Sequence, residues 1–124
     1  MRVTGLDHVV LRVADAEVSL DWYQQVLGLE GMRADEWRRG EVPFVSVRVD
    51  DTTIIDLLES GRSDGALDHV ALVVDDVDLD ELAASGTVDV VTGPASRWGA
   101  RGTGRSLYVR DPDGHVIELR VYGS

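Results

Sequence analysis

The sequence contains no cysteine. Disulfides, thiolate ligands and a cysteine nucleophile are thereby excluded, and any metal chemistry falls to His, Asp and Glu. Positive charge is scarce, with 12 Lys and Arg against 23 Asp and Glu and a net charge of −11. Such a balance repels phosphate backbones and anionic lipid, so neither nucleic acid nor a membrane is an expected partner. No apolar run approaches the roughly 18 residues of a spanning helix, and Met1 to Gly5 lead straight into a strand-like segment instead of an apolar signal core. A cytoplasmic protein is expected. What the 124 residues do contain, 44% hydrophobic and 28% charged, suits one domain with a real core.

The strongest internal signal is a repeat. Leu6-Asp7-His8-Val9-Val10-Leu11-Arg12-Val13-Ala14-Asp15 recurs as Leu67-Asp68-His69-Val70-Ala71-Leu72-Val73-Val74-Asp75-Asp76, identical at seven of ten positions and offset by 61 residues. An offset near half the chain predicts one module used twice, over residues 1–61 and 66–124, rather than a solenoid. Each copy opens with a β-branched run, then reaches aspartates able to cap a helix. The first helix begins at Asp15 or Ala16, carries Val18, Leu20, Trp22, Tyr23, Val26 and Leu27 near helical spacing, and stops at Gly28. The second, shorter one covers Asp78 to Ser85 and stops at Gly86. Three strands follow each helix, at Glu30 to Trp37, Val42 to Val49 and Thr53 to Leu58, then Val88 to Thr92, Ser106 to Arg110 and His115 to Tyr122. The expected fold is α+β, two βαβββ modules whose mixed sheet encloses a cleft. Gly93 to Arg105, rich in glycine, reads as a mobile loop or lid. Asp111-Pro112-Asp113-Gly114 reads as a tight hairpin turn, and Arg62 to Gly65 as the linker between modules.

Strand parity gives the repeat its chemistry. In the first strand Val9, Leu11 and Val13 form an apolar face, which places His8 on the opposite one, and His69 follows by the repeat. In the last strand Ile117, Leu119 and Val121 are the apolar face and Glu118 is opposite. Ile54-Ile55-Asp56-Leu57 parallels Val116-Ile117-Glu118-Leu119, so Asp56 is the matching carboxylate of the first module. His8, His69, Glu118 and Asp56 together suit one divalent ion per site, Fe, Mn, Ni, Co or Zn, with open positions for catalysis. A lone strand histidine is more often a hydrogen-bonded core residue; two at equivalent positions, each with a carboxylate, favour a metal. Glu118 or Asp56 can double as a base. Tyr108 is a candidate for a catalytic role or for binding substrate oxygen, against plain packing. Arg97, Arg101 and Arg105 would pin an anionic substrate, with Trp98 closing over it, or are simply solvated. His115, of opposite parity to Glu118, reads as a hairpin residue.

These segments resemble the vicinal oxygen chelate superfamily, which includes glyoxalase I, extradiol dioxygenases, methylmalonyl-CoA epimerase, fosfomycin resistance transferases and bleomycin-binding proteins. Gly5 to Val9, Ser19 to Tyr23 with Val26 to Leu29, Leu67 to Val70 and Ser106 to Leu119 carry the likeness, which spans essentially the whole chain. The resemblance implies the glyoxalase/bleomycin resistance/dioxygenase fold, and that His8, Asp56, His69 and Glu118 fall on the ligand positions of glyoxalase I. It also implies chelation of a small substrate through vicinal oxygens by a lyase, isomerase or dioxygenase, and a homodimer whose modules pair within or between chains. Asp56 stands where glyoxalase I typically has glutamate, and Trp98 where fosfomycin enzymes often carry lysine. The rival expectation is a metal-free drug-sequestering protein of the bleomycin resistance type, with Trp22, Trp37, Tyr23 and Phe44 as groove aromatics, although Trp22 and Tyr23 on a helix read better as core.

Overall fold

The computed structural model describes residues 1–60, 67–110, 112 and 115–123. The expected linker at Arg62 to Gly65 lies outside them, as does the expected turn at Asp111 to Gly114 apart from Pro112. Eight strands hydrogen-bond in the order β2-β3-β4-β1-β5-β8-β7-β6, forming a mixed sheet of the expected α+β class. The strands are β1 (Arg2–Val13), β2 (Glu30–Met32), β3 (Val45–Arg48), β4 (Ile54–Glu59), β5 (Leu67–Asp75), β6 (Asp89–Gly99), β7 (Gly102–Arg110) and β8 (Val116–Val121). The helices are α1 (Ala16–Gln25), α2 (Ala34–Arg38) and α3 (Leu79–Ala84). No helix among the described residues is long and apolar enough to cross a membrane.

The chain divides into two compact units, one of Val9–Asp68 and one of Met1–His8 with His69–Ser124. In the contiguous unit, Asp15 caps α1 by accepting from the Val18 N–H at 3.2 Å. Ala16 and Leu20, one turn apart, are buried against Val45, Val47 and Leu57, with Val13, Tyr23, Leu29, Ala34, Trp37 and Ile55 packed around them. Trp22 is 48% exposed, which corrects its assignment to the core. It follows Leu20 by two residues, about 200° around the helix, and so faces away from the buried side.

The expected strand over Glu30 to Trp37 is also corrected: β2 ends at Met32, Arg33 adopts a left-handed backbone (φ 63°), and α2 follows. Ala34-Asp35-Glu36 is a strong helix start, with acids at the positive end of the helix and Arg38 in the last turn. Trp37 thus packs on the core from a helix.

In the discontinuous unit, Asp78 caps α3 by accepting from both Asp80 N–H at 2.9 Å and Glu81 N–H at 3.1 Å. Val74, Leu79, Leu107, Val109 and Leu119 form its core, flanked by Ile117 and Val121. Strand β8 runs parallel to β5, pairing Ala71 with Glu118, and antiparallel to β7, pairing Tyr108 with Glu118 and Ser106 with Arg120. With Leu107, Val109, Leu119 and Val121 on the helix-bearing face, Ser106, Tyr108, Glu118 and Arg120 occupy the other.

The segment read as a mobile lid is a β-hairpin, with β6 and β7 paired from Asp89↔Arg110 to Gly99↔Gly102. Two of its glycines, Gly99 and Gly104, are there for space. A Cβ on Gly99 would lie 2.5 Å from Arg120 Cζ and 2.5 Å from the Tyr122 hydroxyl, and one on Gly104 would lie 3.1 Å from an Arg120 Nη.

Candidate metal centre

Three strands of the discontinuous unit bring His8, His69 and Glu118 together. His8 on β1 is 2% exposed and Glu118 on β8 is 1% exposed, while His69 on β5 is partly buried. His8 Nε2 lies 3.3 Å from His69 Nε2 and 3.3 Å from Glu118 Oε1, and His69 Nε2 lies 2.9 Å from the same oxygen. The imidazoles meet edge to face, with ring centroids 5.3 Å apart.

The donor set fits a divalent ion. Metal–nitrogen and metal–oxygen bonds of about 2.1 Å place adjacent ligands roughly 3.0–3.4 Å apart at tetrahedral or octahedral angles. The three edges of this triangle, 2.9–3.3 Å, agree with that spacing. Two neutral imidazoles and one carboxylate match the ligand preferences of Zn(II), Fe(II), Ni(II), Co(II) and Mn(II) and leave further positions open.

Glu118 is closely held. Its Oε2 accepts from Arg120 Nη1 at 2.6 Å and from the Ser106 hydroxyl at 2.9 Å, leaving Oε1 toward the histidines. Burial alone would raise its pKa. Hydrogen bonds from His69, His8 and Arg120 reverse that and hold the carboxyl far below the ordinary range. Arg120 is fully buried, and its pKa is raised despite a burial effect of opposite sign, chiefly by Glu118. Tyr108 stacks edge to face on His69 with centroids 5.4 Å apart. Its phenol is raised above the usual value by burial and by the Glu118 charge.

His8 is set by its other nitrogen, Nδ1, which lies 2.6 Å from an oxygen of the fully buried Asp7. Asp7 also accepts from the Tyr122 hydroxyl at 2.6 Å and from the Ala100 N–H at 3.0 Å. Burial would raise this carboxyl, but hydrogen bonds from His8, Tyr122 and Ala100 lower it. The sequence reading passed over Asp7, Ser106, Arg120 and Tyr122. The available signals were an aspartate before the histidine in both repeats, and an arginine two residues beyond Glu118 on the same strand face.

Asp56 belongs to the contiguous unit, where it is 1% exposed and accepts the Ser46 hydroxyl at 2.5 Å from the residue directly opposite on β3. Of the four hairpin residues, Arg97 pairs with Gly104 and so shares a face with Ser106, Tyr108 and Glu118; its charge acts on the Tyr108 phenol. Trp98 and Arg105 lie on the helix-bearing face, where Arg105 forms a 2.6 Å ion pair with Asp80 of α3. Arg101, at the hairpin tip, places its guanidinium 4.4 Å from the Tyr122 ring centroid. His115 is exposed just before β8.

The fold and the donor triangle thus describe an α+β protein with a two-histidine, one-carboxylate cluster. Residues 5–119 match the profile of the Glyoxalase/Bleomycin resistance protein/Dioxygenase superfamily, and the chain belongs to that superfamily. A lactoylglutathione lyase of Neisseria meningitidis is 34% identical over 123 residues, covering 90% of this chain and 86% of its own length. A probable lactoylglutathione lyase of Vibrio parahaemolyticus is 32% identical over the same shares. In structure the chain resembles methylmalonyl-CoA epimerase of Streptomyces coelicolor, with a TM-score of 0.70 and 23% identity over 98% of this chain and 99% of that one, a likeness of fold.

Proposed function

We propose that this protein is a metal-dependent enzyme acting on a small oxygenated substrate, with His8, His69 and Glu118 holding one divalent ion. The donor triangle carries the reading: three edges of 2.9–3.3 Å between two imidazole nitrogens and one carboxylate oxygen. A bound ion would supply Lewis-acid polarisation of substrate oxygen. Relatives named lactoylglutathione lyase support the lyase or isomerase arm of the superfamily over ring cleavage.

The remaining roles follow from the residues' own chemistry. Glu118, whose Oε2 is held by Arg120 and Ser106 while Oε1 faces both histidines, serves as ligand. Proton transfer is assigned to Asp56, which the repeat and the family resemblance also offer as a fourth ligand. Tyr108, its phenol kept protonated, donates to a substrate oxygen. Arg97 on the same strand face contributes attraction for an anionic substrate, which a chain of net charge −11 otherwise repels. The proposal includes the cytoplasm. It also includes a homodimer, supported by Val18, Trp22 and Val26, which lie one turn apart on α1 at 65%, 48% and 61% exposure. Sedimentation equilibrium returning a monomer at high micromolar concentration would overturn the dimer.

Elemental analysis of tag-free protein purified without chelator, followed by titration of stripped protein with Fe(II), Mn(II), Ni(II), Co(II) and Zn(II), tests the reading. About one metal per chain is expected, lost in His8→Ala and His69→Ala proteins that still fold. A wild-type chain that takes up none of these ions sinks it and leaves sequestration of an apolar ligand.

A further inference from the structure

Asp7 is completely buried and adjacent in sequence to a candidate ligand, and its neighbours include the tip of the β6–β7 hairpin and residues 120 and 122. His8 Nδ1 occupies one oxygen at 2.6 Å, and the Ala100 N–H reaches that same oxygen at 3.0 Å. The Tyr122 hydroxyl donates to the other oxygen at 2.6 Å. That hydroxyl accepts in turn from the Arg101 N–H at 3.2 Å and from Arg120 Nε at 3.1 Å. Arg120 completes the circuit by donating from Nη1 to Glu118 Oε2 at 2.6 Å. The tip of the β6–β7 hairpin therefore grips the carboxylate that grips His8. Gly99 leaves room for this, since a Cβ there would strike both Arg120 and Tyr122.

We infer that Asp7 is a positioning residue for the metal centre, with Tyr122 and the hairpin tip fixing the carboxylate that orients His8; the inference rests on the metal-holding reading above. An imidazole that donates from Nδ1 to a fixed carboxylate presents the lone pair of Nε2, and its ring cannot swing. Nε2 is the nitrogen that faces His69 and Glu118. The same circuit, through Arg120, sets which Glu118 oxygen faces the histidines, so one buried network places two of the three donors.

Asp68, the equivalent of Asp7, accepts from Arg12, at 3.0 Å from Nε and 2.8 Å from Nη2.

The test uses full-length protein stripped with chelator and titrated with Co(II) against a chromophoric competitor, with the visible Co(II) spectrum and the thermal midpoint of the stripped protein recorded alongside. Asp7→Asn keeps the shape but removes the charge, and loss of such an outer partner typically costs about 10–100-fold in metal affinity. We expect a loss in that range with an altered Co(II) spectrum, and in Tyr122→Phe a smaller loss of the same kind. Should Asp7→Asn fail to fold, Tyr122→Phe decides alone. Wild-type affinity and spectrum in a folded Asp7→Asn protein, or in Tyr122→Phe when it stands alone, would overturn the inference while leaving the metal centre intact. No Co(II) uptake by the wild type would instead bring down the metal reading, and this inference with it.

Discussion

In the second repeat Glu118 is followed two residues later by Arg120, and in the first Asp56 is followed two residues later by Leu58. Directly opposite Glu118 stands Tyr108, and directly opposite Asp56 stands Ser46. Both carboxylates are buried on the strand face away from the helices, so the backbone treats them alike. Their neighbours do not. Glu118 sits in a net of charge-assisted bonds from Arg120 and two histidines, whereas Asp56 has a hydroxyl on the facing strand and, in the same unit, the charge of Arg33. Duplication supplies a pair of equivalent positions, and the flanking residues decide that one carboxylate is clamped facing the two histidines.

The comparison can be broken experimentally, beginning with the largest effect. Glu118→Gln leaves the fully buried Arg120 with a neutral acceptor in place of its 2.6 Å carboxylate partner, and urea unfolding of the stripped protein should show a loss of about 3–5 kcal/mol. The sign of its pH dependence is fixed. A carboxyl whose folded pKa lies below its ordinary 4.5 contributes stability that is present above that value and lost as pH falls below it. The gap between wild type and Glu118→Gln should therefore close on acidification below about pH 4.5; a gap that stays constant would show that the charge is not what stabilises.

Gly99→Ala should cost about 1–3 kcal/mol through overpacking against Arg120 and Tyr122, and should weaken metal uptake in the same protein. Asp56→Asn, which exchanges a charge-assisted bond for a neutral one, should cost about 1–2 kcal/mol, well short of Glu118→Gln. Equal losses from the two would erase the distinction drawn here. The smallest contrast lies in the caps. Asp78 accepts two backbone N–H groups and Asp15 one, so Asp78→Ala should lose slightly more than the about 1 kcal/mol expected for Asp15→Ala in thermal unfolding.

The donor triangle was legible because two independent periodicities, the 61-residue offset and the alternation of strand faces, agreed on His8, His69 and Glu118. Caps and helix stops were legible for a local reason, since Asp15 and Asp78 act within one turn of themselves. The β6–β7 hairpin was not. Glycine in sequence signals freedom of the backbone, and here Gly99 and Gly104 answer to the bulk of Arg120, a residue more than 15 positions away in the chain. Helix α2 was missed because Trp37 reads equally well as a strand aromatic, and the left-handed turn at Arg33 carries no glycine to announce it. Asp7 lay in plain view, but its partners Ala100 and Tyr122 are separated from it by 93 and 115 residues.

The division of the chain into Val9–Asp68 and the two segments around it has a consequence for synthesis. As the polypeptide leaves the ribosome, the contiguous unit is complete once Asp68 has emerged. Met1–His8 are made before that unit, yet they group with His69–Ser124, which is made after it. Contacts of such long sequence separation are slow to form. His8 is thus made before the contiguous unit, yet it meets Glu118 only after that unit has been made.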